Sequence, residues 1–145
     1  SLYLSIYREI LKCFKTIHSH NVTHYDIKGD NILIDFKQSA QQSKQDLFDS
    51  FAITVGDFGE CHMYTTDKDE FQSRNKGTEH IKSPEMLQLA IATRKDTNNY
   101  DRRKRVGTNS LSDVWGLGCL FYELLTGDVL FNTEEYFEFH VRLTQ

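Results

Sequence analysis

The chain has 145 residues, of which 39% are hydrophobic and 26% charged, with a formal net charge of -4. That length supports one domain, and the near-neutral balance gives no reason to expect general affinity for nucleic acid or membrane surfaces. Three widely spaced cysteines (Cys13, Cys61, Cys119) with no C-x-x-C argue for free thiols in a reducing compartment, cytoplasmic or nuclear, rather than a disulfide framework or zinc site. No signal peptide or run of 18 apolar residues is visible, and a chain opening on Ser1 directly at a helical pattern reads as a fragment.

From Leu2 to about His18, apolar residues at Ile6, Ile10, Phe14 and Ile17, with Leu2, Tyr3, Tyr7 and Leu11 beside them, predict an amphipathic helix. Asn21 follows the broken pattern and suits a left-handed cap. Ile32–Asp35 and Ala52–Val55 are short β-branched runs, predicted as a hairpin. The polar stretch 37–50 between them is too long for a hairpin loop and reads as an insertion. Residues 93–110 form a second polar stretch containing Arg102-Arg103-Lys104-Arg105. Such a charge run is usually a solvated loop; a nuclear-import signal and a docking surface for acidic partners stay open. Segment 112–126 is apolar around most of its circumference and predicts a helix buried in the core, capped by Ser110 or Ser112 and stopped at Gly127. A further helical pattern begins at Thr133.

Three segments stand out in order: His24-Tyr25-Asp26-Ile27-Lys28-Gly29-Asp30-Asn31, then Asp57-Phe58-Gly59, then Ser83-Pro84-Glu85, with Gly77-Thr78 before the last and Asp113-Val114-Trp115-Gly116 after it. Singly each is weak: Asp-Phe-Gly can be a turn and His-x-Asp a satisfied polar pair. Their order, with a helix before the first and a strand before the second, makes the set specific. Together they resemble the catalytic core of a eukaryotic protein kinase of the Ser/Thr type, from about Leu2 to about Phe131.

The resemblance implies a partial large (C-terminal) lobe, mainly α with a small β-hairpin, without the small N-terminal lobe. It divides the chain into a catalytic loop (24–31), an activation segment (57–85) and a central helix (112–126). It implies ATP and Mg2+ as cofactors and a protein as substrate. In this reading Asp26 is the base that takes the substrate hydroxyl proton, Lys28 contacts the transferring phosphate, and Asn31 and Asp57 hold magnesium through hard oxygen donors. His24, Thr78, Glu85 and Asp113 are supports. No Gly-rich loop, strand lysine or helix glutamate precedes His24, so the isolated chain is expected to be inactive although its parent is a kinase.

Departures from the family pattern are equally informative. Tyr25 stands where an arginine usually pairs with a phosphorylated activation segment, a bidentate charge contact that tyrosine does not make. Phosphorylation at Thr65, Thr66 or Ser73 is therefore not expected to act through this position; a phosphate-dependent gain that vanished on Tyr25→Phe would contradict this. The family's partner arginine for Glu85 has no counterpart in matching context, Arg142 included. A buried carboxylate robbed of its partner costs roughly 3 to 5 kcal/mol. Two rival readings remain: a pseudokinase acting as a scaffold, and a small-molecule kinase of the aminoglycoside or choline type, against which Asp57-Phe58-Gly59 followed by Ser83-Pro84-Glu85 argues.

Overall fold

Two helices and one loop residue share an apolar cluster at the centre of the molecule. The computed structural model describes residues 2–36, 51–66, 77–95, 108–132 and 138–142. In chain order it has helix α1 (Leu2–Ser19), strand β1 (Val22–Thr23), a single 3-10 turn (Gly29–Asn31), strands β2 (Ile32–Phe36), β3 (Phe51–Val55) and β4 (His62–Met63), a second 3-10 turn (Glu79–Ile81), and helices α2 (Pro84–Lys95) and α3 (Ser110–Thr126). Residues 138–142 are also helical.

α1 buries Ile6, Ile10 and Phe14, one residue per turn along a single stripe, against Ile27, Leu117 and Leu120. Tyr3, Leu4 and Leu11 lie outside the stripe and are exposed. Tyr7 stands at the edge, stacking on Phe121 with ring centroids 4.3 Å apart and donating its hydroxyl to Leu117 O at 3.0 Å. Asn21, at φ 59°, ends the helix in the left-handed region as its sequence position suggests, and its N–H bonds His18 O.

β2 and β3 pair antiparallel from Ile32 opposite Val55 to Phe36 opposite Phe51. Ile32, Phe51, Ile53 and Val55 lean on the helical core, whereas Leu33 and Phe36 are exposed. A second pairing, β1 with β4, joins Val22 to Met63 and Thr23 to His62. Two-residue strands carry no periodicity, so this pair was not predicted.

α3 begins two residues earlier than its apolar pattern. Its cap is neither Ser110 nor Ser112 but Asn109, whose side chain accepts the Leu111 N–H at 3.0 Å. Gly127, at φ 78°, closes the helix by donating its N–H to Glu123 O. The expected burial all round is corrected too. Leu111, Val114 and Leu125 are 68%, 56% and 55% exposed, because the described neighbours pack on one side of the helix only. α2 opens on Pro84, whose missing N–H costs nothing at a helix start, and reaches Lys95, inside the stretch read as polar loop. The 37–50 insertion, Ser73 and the Arg102–Arg105 run lie outside the described residues. No helix among the described residues is long and apolar enough to cross a membrane.

Candidate active site

The loop from His24 to Lys28 is shaped by one carboxylate. Asp113, 1% exposed in the first turn of α3, accepts the His24 N–H on Oδ2 and the Tyr25 N–H on Oδ1, both at 2.8 Å. His18 Nε2, at the end of α1, lies 2.8 Å from the same Oδ2. Two successive amides aimed at one carboxylate turn the chain sharply, and Tyr25 takes up the turn at φ 67°. The buried His24 ring then packs edge-on between Phe14 and Phe58, with centroids 5.8 and 4.9 Å away. Its Nε2 lies 2.9 Å from Gly56 O, and its Nδ1 accepts the Asp26 N–H at 3.2 Å. The tautomer protonated on Nε2 satisfies both contacts, which places His24 as a spacer between the loop and the Asp57 turn.

Asp26 follows, with both carboxylate oxygens engaged. Oδ1 accepts the Thr78 N–H at 2.9 Å and the Thr78 hydroxyl at 2.6 Å. Oδ2 accepts Asn31 Nδ2 at 3.1 Å and pairs with Lys28 Nζ at 3.1 Å. Burial alone pushes this carboxyl up. The hydrogen bonds from Thr78 and Lys28, with the Lys28 charge, outweigh burial and hold it below its ordinary 3.8. Asp26 is therefore ionised at neutral pH. Lys28 Nζ also donates to Thr78 Oγ1 at 3.0 Å, so Asp26, Lys28 and Thr78 form a closed triangle.

Asn31 spends its amide N–H groups on Asp26, bonding the backbone O at 2.8 Å as well as Oδ2, which leaves its amide oxygen as a hard donor. Asp57 is brought beside it by the backbone, since Gly56 N–H donates to Asn31 O at 2.8 Å. Asp57 is exposed, has φ 54°, and its Oδ1 accepts the Gly59 N–H at 3.2 Å. Among the described residues no group of three or more His, Cys, Asp or Glu could hold a metal unaided. One amide oxygen and one carboxylate suit a cation that keeps its remaining positions for water and phosphate oxygens, as Mg2+ does.

The structure thus joins Asp26, Lys28, Asn31 and Thr78 directly, adds Asp57 through the backbone, and sets His24 and Asp113 beneath them. Glu85 stands apart. It is half-buried rather than buried, and its Oε1 accepts the Ser112 hydroxyl at 2.8 Å, so it is not left without a partner. Three further contributors have structural roles that the sequence does not announce, although Gly77 is named there as part of the Gly77-Thr78 pair. Ser112 was read only as a cap. Thr108 receives the Tyr25 hydroxyl on its backbone oxygen, which no side-chain signal announces. Gly77, at φ 77°, presses so closely on the Tyr25 carbonyl that any Cβ there would overlap it.

A sequence profile of the protein kinase domain matches residues 3–145. The chain belongs to the protein kinase family. It is 44% identical, over 99% of its length, to a probable serine/threonine-protein kinase of Dictyostelium discoideum, and 33% identical, over 88%, to the serine/threonine-protein kinase RAD53 of Saccharomyces cerevisiae. It spans only 6% and 14% of the lengths of those two relatives. Its fold is similar to that of a chain in the yeast RNA polymerase II CTD kinase complex, with a TM-score of 0.63 at 22% identity, covering 95% of this kinase chain and 35% of that one.

Proposed function

We propose that these residues are the central part of the large lobe of a serine/threonine protein kinase, and that the full-length gene product transfers the γ-phosphoryl group of ATP to a hydroxyl of a protein. The observation that carries this reading is the Asp26 carboxylate held ionised between Lys28 and Thr78, with the oxygen donors of Asn31 and Asp57 alongside. The relatives named as serine/threonine kinases support it. None of Cys13, Cys61 and Cys119 is in a disulfide, which agrees with a cytoplasmic or nuclear site of action.

The reaction asks for position and charge more than for covalent chemistry. A carboxylate offers about four lone-pair sites, and Asp26 fills them with two donors from Thr78, one from Asn31 and one from Lys28. A substrate hydroxyl therefore displaces one of the four. Thr78 and Asn31 are bound by short or buried attachments, whereas the Lys28 ammonium sits at the end of a flexible stem. Lys28 is the donor that swings toward the transferring phosphate, which frees Asp26 Oδ2 for the hydroxyl. The hydroxyl oxygen then bonds to the γ-phosphorus as the bond to the β,γ-bridging oxygen breaks. Its proton passes to Asp26, and ADP leaves. Asn31 and Asp57 would hold Mg2+, which neutralises charge on the phosphates.

Asp26→Asn keeps the shape of the side chain and removes its basicity. In the full-length gene product with Mg-ATP and a generic protein substrate, this change should lower the rate of phosphotransfer by about 10²- to 10⁴-fold. A wild-type protein no faster than Asp26→Asn, or one that phosphorylates small alcohols but no protein, would overturn the proposal.

A further inference from the structure

Tyr25 is fixed from three directions. Its N–H is held by Asp113, its carbonyl is pressed by Gly77, and its hydroxyl donates to Thr108 O at 2.6 Å. Thr108 Oγ1 lies a further 3.3 Å from the same hydroxyl, and both residues are buried. Thr108 immediately precedes Asn109, the cap of α3, and Asp113 lies one turn further on. The ring and the backbone of Tyr25 are thus tied to the same helix start at two points. A bulky aromatic residue stays in the left-handed region only when its surroundings over-determine it. The consequence falls on its neighbours, because Tyr25 joins Asp26 directly and Asp26 receives the Thr78 N–H.

We propose that Tyr25 is a positioning residue whose buried hydroxyl, anchored on the Thr108 carbonyl, locks the left-handed turn that Asp113 shapes and so keeps the Asp26 carboxylate aimed at Thr78. Because this anchor is neutral and internal, it holds the loop against the Gly77-Thr78 segment without a charged group on that segment. The role of Asp26 in the reaction rests on the reading above; the geometry that Tyr25 locks does not, and the two are tested by separate readouts.

Tyr25→Phe in the full-length gene product removes the hydroxyl and keeps the ring. Hydrogen exchange followed by mass spectrometry should show the Thr78 amide exchanging about tenfold faster, the effect of one lost buried hydrogen bond, while amides around Phe14 in α1 are unchanged. In the phosphotransfer assay kcat should fall about tenfold, with KM for ATP within about twofold. Thr108→Ala retains the carbonyl and removes only the longer Oγ1 contact at 3.3 Å, so it should speed exchange at Thr78 less than Tyr25→Phe does; an effect as large or larger would place the anchor on the threonine side chain and overturn the proposal. Unchanged exchange at Thr78 in Tyr25→Phe would overturn the proposal, as would an equal rise in α1, which marks a merely structural role. If wild type and Asp26→Asn prove equally inactive, the kinase reading fails, and the exchange at Thr78 still decides the role of Tyr25.

Discussion

The two sides of α3 are built by opposite rules. On the side facing the catalytic loop, Asp113 is completely buried, yet its carboxylate takes donors from His24, Tyr25 and His18, and the loop it shapes leaves Asp26 with four donors of its own. On the far side, Leu111, Val114 and Leu125 are exposed, and a groove of about 760 Å³ opens between α2 and α3, lined by Pro84, Trp115 and Tyr122 among others. Trp115 Nε1 is buried there without a hydrogen-bond partner among the described residues. The Asp26 carboxylate thus has its hydrogen-bond partners within this chain's described residues, while the outer face of α3 lacks a cover among them. A catalytic constellation can be local, held by bonds of fixed length, whereas a core depends on everything that surrounds it.

The largest way to break this contrast is Asp113→Ala. It orphans two buried backbone N–H groups at roughly 1 to 3 kcal/mol each and should cost about 3 kcal/mol or more in urea unfolding, with the loop losing its shape. A loss below 1 kcal/mol would mean that the loop is held by other contacts. Acid gives a smaller and sharper effect. Asp26 has a folded value below its ordinary 3.8, so its contribution is fully present above that pH and is lost as pH falls through the lowered folded value. Melting temperature should drop as pH goes below about 4, and Asp26→Asn should remove this component of the drop. A variant that loses stability in acid as steeply as the wild type would contradict the assignment. At the other end of the scale, Leu125→Ser on the far side of α3 should change stability by only about 0.5 kcal/mol. A cost of 2 kcal/mol or more would show that something covers that face in solution.

The same contrast explains what was legible in the sequence. Asp26, Lys28, Asn31, Asp57 and Thr78 could be nominated because the ordered motifs that hold them resemble those of protein kinases, and the resemblance implies their roles. The hairpin and α1 were legible from β-branched runs and a clean stripe at Ile6, Ile10 and Phe14. The misreadings share a cause, which is that they depend on partners. The apolar circumference of α3 says that the helix can be buried, not what buries it. The cap at Asn109 competed with two serines of equal chemical suitability. The Tyr25 bond ends on a backbone oxygen of Thr108, and every residue has one of those. Glu85 was expected to need a cation and is met by the hydroxyl of Ser112, made possible by an exposure that no sequence pattern reports.

Thr78 holds the Asp26 carboxylate with two hydrogen bonds, and a double-mutant cycle on the kcat of the full-length gene product tests most directly whether the two residues act as one unit. Asp26→Asn and Thr78→Ala act through the same carboxylate, so the double variant should be little slower than the worse single one. Losses that multiply, as for two independent sites, would contradict it.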